Sequence, residues 1–165
     1  MHPGQTVADF GSGAGHYAFE AARIAGPNGH VYALEIVKSL VETIAREARR
    51  EHLRNLDALW VDLEKPGGSH IRTSSIDRVI ISNVFFQMKD RDVVVSEIAR
   101  ILRPRGKVLV IDWSEARPGL AGFGPVSQAI FSSAAAKDLF QKHGFVLDKT
   151  INPDHHHYGL IFNKA

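Results

Sequence analysis

Thr6-Val7-Ala8-Asp9-Phe10-Gly11-Ser12-Gly13-Ala14-Gly15-His16-Tyr17 is the stretch that decides the fold. Its first five residues form a short β-prone run, and Gly11, Gly13 and Gly15 follow at once. That order makes a buried strand, a tight turn whose backbone can approach a ligand closely, and then a helix. Over residues 15–25, Ala18, Ala21, Ala22 and Ala25 give the helix a small-residue face for a sheet, and Gly26-Pro27 stops it. The next apolar run, 31–34, completes one βαβ unit.

The alternation continues along the chain, with further strand-length runs at 58–61, 79–81 and 108–111. Residues 38–53 place Leu40, Val41, Ile44, Ala45 and Ala48 on one helical face. Asp90 caps a helix carrying Val94, Val95, Ile98, Ile101 and Leu102, which Arg103-Pro104 ends before Gly106 turns the chain into a fifth strand. Ser132 or Ser133 caps a last helix running through His143, with Gly144 as its stop, and residues 145–151 and 158–162 then pair as a hairpin. Residues 118–125, with Gly119, Gly122 and Gly124, read as a loop able to act as a lid. The expectation is a single α/β domain over 1–165, with right-handed crossovers, a mostly parallel sheet and ligand sites at the carboxyl ends of its strands.

Composition narrows the function. The 165 residues are 44% hydrophobic and fill one core, and the absence of cysteine excludes disulfides and thiolate metal sites. Twenty basic against 18 acidic residues leave a formal charge of only +2, too mild to imply nucleic acid. Arg46, Arg49, Arg50 and Arg54 are interleaved with Glu47 and Glu51, as on a solvated helix face. Neither a signal peptide nor a membrane-spanning run is legible, so a soluble cytoplasmic protein is expected.

Glu35 closes the second strand twenty positions after Gly15, where an acid can accept the hydroxyls of an adenosine ribose. A dinucleotide site would need its third glycine at position 16, which is His16, and would set Asp9 against a pyrophosphate. S-adenosylmethionine carries a sulfonium and an ammonium instead, both favoured by an acid at Asp9.

VADFGSGAGHY resembles motif I of class I S-adenosylmethionine-dependent methyltransferases, and VYALE is similar to their ribose-binding strand end. LWVDLEKP, IDRVIISNVFFQ and LRPRGKVLVIDW resemble the following motifs, and the family's Rossmann-like three-layer sandwich implies strand order 3-2-1-4-5-7-6 with an antiparallel last strand. The resemblance implies a donor site of Asp9, Gly11, Ser12, Gly13, Gly15, Tyr17, Glu35, Ile36, Asp62, Leu63 and Asn83, with Asp62 and Leu63 at the adenine. It implies S-adenosyl-L-methionine as donor, S-adenosyl-L-homocysteine as product and a small-molecule acceptor of the quinone-biosynthesis kind. Family members usually carry helices before the first strand. Here the chain starts almost at that strand, which implies an open site or one closed by another chain of a homo-oligomer.

The acceptor side offers fewer signals. Asn83 and Phe86 resemble the ends of an Asn-Pro-Pro-Tyr motif, but Val84 and Phe85 replace the prolines, which argues against base methylation in nucleic acid. Arsenite methyltransferases work through cysteines, and this chain has none. Asp112, at the end of the fifth strand, is the first candidate general base, with a cap or loop hydrogen bond as its other reading; Trp113 is a packing residue or an acceptor platform. In Asp154-His155-His156-His157-Tyr158, strand alternation puts His155 and His157 on one face and His156 against the sheet. One of these histidines lining the acceptor pocket as a base competes with a solvated strand entrance, and no metal site is expected. Two other classes stay open: a dinucleotide-dependent oxidoreductase, and a donor-binding module that no longer transfers methyl.

Overall fold

The computed structural model describes residues 1–114 and 130–165. It contains β1 (Thr6–Phe10), α1 (His16–Ala25), β2 (His30–Glu35), α2 (Lys38–Arg50), β3 (Leu56–Trp60), β4 (Ile76–Ser82), α3 (Arg91–Ile101), β5 (Leu102–Trp113), α4 (Ser133–Lys142), β6 (Phe145–Ile151) and β7 (His157–Lys164). A 3-10 turn, Phe85–Gln87, separates β4 from α3. The strands form one sheet in the order β3-β2-β1-β4-β5-β7-β6. Pairing is parallel from β3 through β5, and β7 runs antiparallel to both β5 and β6. This is the expected α/β sandwich.

Alternation along each strand splits the core into two layers. Val7 joins Ala18, Ala21, Ala22, Ala25, Ile44 and Ala48 on one side of the sheet. Ala8 and Phe10 join Phe85, Val94, Ile98, Phe140 and Phe162 on the other. The alanine face of α1 is thus buried as its spacing requires. Asp90 caps α3 by accepting from the Val93 N–H, and Ser132 caps α4 by accepting from the Ala135 N–H.

Several boundaries depart from expectation, those of α2 and β5 with an evident cause. α2 ends at Arg50, three residues early, because His52 takes a left-handed backbone (φ 56°) and the Leu53 N–H returns to the Ala48 carbonyl. β5 begins at Leu102, which pairs with Ile76 before an irregular excursion; Arg105 is left-handed (φ 64°) and pairing resumes at Lys107 with Arg78. The glycine-bearing stretch 118–125 lies outside the described residues. Among the described residues no helix is long and apolar enough to cross a membrane.

Candidate active site

Parallel strands bring their carboxyl ends to one edge, and the polar residues that follow β1, β2, β3 and β4 meet there around a cavity of about 570 Å³. Asp9, Gly11, Ser12, Gly13, Tyr17, Glu35, Ile36, Asp62, Leu63 and Asn83 all line it. Gly15 does not. It opens α1 in the left-handed conformation (φ 86°), and a Cβ there would come within 2.9 Å of the Phe19 ring and 3.1 Å of Ile44 Cγ1, so its task is close packing under the loop. Gly11 is constrained from the cavity side, since a Cβ would stand 2.7 Å from Val84 Cγ2.

The glycine loop is folded over β2 by backbone bonds from Gly11 and Ser12 to the Leu34 carbonyl, at 2.9 and 3.0 Å. Glu35 then fixes the turn. Its Oε2 accepts from the Gly13 N–H at 2.8 Å, and its Oε1 accepts from the N–H groups of Ile36 and Val37 at 2.9 Å each. A carboxylate has about four acceptor positions, so three N–H groups leave room on Oε2 for one further donor. One hydroxyl donor can be added without rearrangement; a second requires a backbone N–H to let go.

Asp9 is the opposite case. It is only 2% exposed, and its Oδ2 has no hydrogen-bond partner. Burial pushes its carboxyl up to about 7, opposed by the Ala18 N–H and reinforced by the charge of Glu35. Ser12 Oγ, Ser82 Oγ and Asn83 Oδ1 are likewise buried without partners and line the same cavity. Asp62 and Glu64 add two more carboxylates to the wall, and no Lys or Arg is among its described lining residues. Buried polar groups are normally satisfied, so this cluster fits a cationic ligand that also carries hydroxyls.

Sheet order sets how such a ligand lies. Glu35 ends β2 and Asp62 follows β3, with Asp9 at the end of β1 and Asn83 after β4, about 10 Å from β2 by strand spacing. Asp9 Oδ2 and Asn83 Oδ1 are the unpartnered acceptors on that side. The cavity also uses residues outside the donor-site set that the resemblance implies. Val84, Gln87 and Met88 arrive with the turn after β4, and Glu64 accepts from the Lys89 and Asp90 N–H groups at 2.7 Å each, tying the β3 exit to the start of α3.

The acceptor candidates lie further along the same edge and outside that cavity's lining. Asp112 is fully buried; its Oδ1 accepts from the Trp113 N–H at 2.8 Å. Burial pushes it up to about 6, opposed by the N–H groups of Trp113, Phe85 and Phe86 and by the charge of His157. His155 and His157 do not share a strand face. Asp154 Oδ1 accepts from the N–H groups of His156 and His157, which bends the chain so that the strand starts only at His157 and leaves His155 exposed in the bend. The His157 ring packs on Trp113 with centroids 4.3 Å apart, and its Nδ1 lies 2.9 Å from both Asp154 oxygens. With Nδ1–H donating to Asp154, Nε2 remains an acceptor, and it is buried without a partner.

The fold and this edge together define a Rossmann-like nucleoside-binding methyltransferase architecture. A family model described as Methyltransferase domain matches residues 1–160, and the chain belongs to that family. It is similar to the arsenite methyltransferase of Halobacterium salinarum, 30% identical over 118 residues that cover 72% of this chain and 29% of that protein. It is also similar to the ubiquinone/menaquinone biosynthesis C-methyltransferase UbiE of Haemophilus ducreyi, 29% identical over 131 residues covering 78% of this chain and 47% of that protein. The chain therefore spans less than half the length of these two relatives. Among solved structures, a SAM dependent methyltransferase from Aquifex aeolicus shares the fold at a TM-score of 0.87 and 20% identity, over 99% of this chain and 84% of that one.

Proposed function

We propose that this chain binds S-adenosylmethionine in the cavity at the carboxyl edge of β1 to β4 and transfers its methyl group to a small-molecule acceptor held toward β5 and β7. The observation that carries the proposal is the set of buried, unpartnered oxygens of Asp9, Ser12, Ser82 and Asn83 around one cavity whose described lining holds four carboxylates and no Lys or Arg. The donor supplies an already activated methyl on a sulfonium, so the residues need only hold both reactants in line and exclude water. Glu35 receives the ribose, Asp62 and Leu63 the adenine, and Asp9 with Asn83 the ammonium. A dinucleotide would place its pyrophosphate against Asp9, which disfavours the oxidoreductase alternative.

His157 is the proposed proton acceptor, because Asp154 fixes its ring and Nε2 is buried without a partner. A base at this position suits an acceptor that loses a proton, a hydroxyl or a carbon acid, and the C-methyltransferase among the relatives is named for the second kind. Arsenite is set aside because the chain has no cysteine to hold it. Titration calorimetry tests the donor assignment. S-adenosylmethionine and S-adenosylhomocysteine should bind with Kd near micromolar, about −8 kcal/mol, and NAD should not bind. Saturable NAD binding without either sulfur ligand would overturn it.

A further inference from the structure

The turn between β4 and α3 carries Asn83 and Val84 to the cavity wall, and from within it is closed by bonds from the Gln87 and Met88 N–H groups to the Val84 and Phe85 carbonyls, at 3.1 and 3.2 Å, and from Gln87 Nε2 to the Asn83 carbonyl, at 3.3 Å. Asn83 is left-handed (φ 56°), and Val84, at the N-terminal boundary of the 3-10 turn, offers no side-chain cap. Further support comes from outside. On the carbonyl side, Arg91 Nε donates to the Phe85 carbonyl at 2.6 Å and its Nη2 to the Phe86 carbonyl at 3.4 Å. A bond from the Asn83 N–H to the Ile111 carbonyl, at 2.9 Å, sets the turn on the end of the neighbouring strand.

Arg91 is itself held. Its guanidinium lies 4.8 Å over the Phe131 ring, and the Phe131 carbonyl accepts from the Tyr158 hydroxyl at 2.9 Å. A cation at the carbonyl end of a short turn opposes the turn's own dipole, and two bonds to successive carbonyls favour one placement of its backbone. The Arg91 side chain does not line the cavity.

We propose that Arg91 is a positioning residue that clamps the Phe85–Gln87 turn from its carbonyl end, and through it places Asn83 and Val84 against the amino-acid end of the donor. The proposal rests on the donor reading above.

Two probes separate the effect from general destabilisation: S-adenosylhomocysteine, and 5′-deoxy-5′-methylthioadenosine, which lacks the amino-acid end. By calorimetry, Arg91→Ala should weaken S-adenosylhomocysteine about tenfold while shifting the truncated probe less than about twofold. Arg91→Lys should resemble Arg91→Ala, because a single ammonium cannot span both carbonyls; it carries the test if Arg91→Ala fails to fold. Amide hydrogen exchange should rise at Gln87 and Met88, which bond to the Val84 and Phe85 carbonyls, and stay unchanged at Val79 and Ile81 in β4. Equal weakening of both probes, or of neither, overturns the clamp and leaves the donor reading standing. If the unmodified protein binds neither probe, the donor reading fails and the clamp with it.

Discussion

Asp9 and Glu97 are buried almost equally, at 2% and 3% exposure, yet their surroundings treat them in opposite ways. At Glu97 burial raises the carboxyl, but hydrogen bonds from Arg100 and Ser69 outweigh it and leave it below its ordinary value. Arg100 reaches both Glu97 oxygens, at 2.8 and 2.7 Å, and the Ser69 N–H adds a third bond at 3.2 Å. At Asp9 burial wins, because one backbone N–H is not enough and the nearest charge is another carboxylate. One acid is finished by the chain itself and ties α3 to the segment before β4. The other is left for something the chain does not contain, and that contrast separates scaffold from site more sharply than burial does.

The contrast can be broken at several points. The largest effect is expected at Glu97→Ala, which strands Ser69 and Arg100 and should cost about 2 to 4 kcal/mol in denaturant unfolding, less than a fully buried pair because Arg100 is a third exposed. Its S-adenosylhomocysteine affinity should not change. Glu35→Ala should weaken donor binding by roughly 1 to 3 kcal/mol, since it removes a charge-assisted ribose contact and frees three loop N–H groups. No change in a folded variant would remove Glu35 from the site.

Asp9→Asn should act in two directions. In the ligand-free protein a raised carboxyl holds its proton when the unfolded chain has lost it, so Asp9 disfavours folding increasingly as pH rises from its ordinary value of 3.8 to about 7. Glu97 has the opposite sign: its contribution is complete above about pH 4.5 and is lost as pH falls through its lowered folded value. Asp9→Asn should therefore stabilise the empty protein at pH 8 by roughly 1 to 2 kcal/mol while weakening donor binding, more for the cationic donor than for the neutral-sulfur product. Equal losses for both ligands would show that Asp9 does not sense the sulfonium. The smallest effects belong to His155→Ala, His156→Ala and His157→Ala, which should leave S-adenosylhomocysteine affinity within about twofold. Of the three, His157→Ala should slow methyl transfer to a competent acceptor, and normal turnover would return His157 to the scaffold.

The finished and unfinished acids were not equally legible in the sequence. Asp9, the glycine loop and Glu35 sit where one strand ends and the next element begins, so order and spacing along the chain placed them. The Ser69–Glu97–Arg100 network joins residues 28 positions apart and leaves no local pattern. Val84, Gln87 and Met88 look like ordinary apolar and polar residues until the turn after β4 carries them to the cavity. The histidine run misled for a related reason: alternation presumes a strand, and the Asp154 carboxylate captures two backbone N–H groups before the strand begins. Gly15 was read as a ligand contact, whereas its conformation and the nearness of Phe19 and Ile44 assign it to packing.

A crystal structure with S-adenosylhomocysteine bound tests the central claim most directly, since it shows what satisfies the unpartnered oxygens. The ribose should meet Glu35, the adenine should lie beside Asp62 and Leu63, and the ammonium should stand within hydrogen-bonding distance of Asp9 Oδ2 or Asn83 Oδ1. A ligand seated elsewhere, or one in this cavity that leaves both oxygens without a donor, would contradict the account.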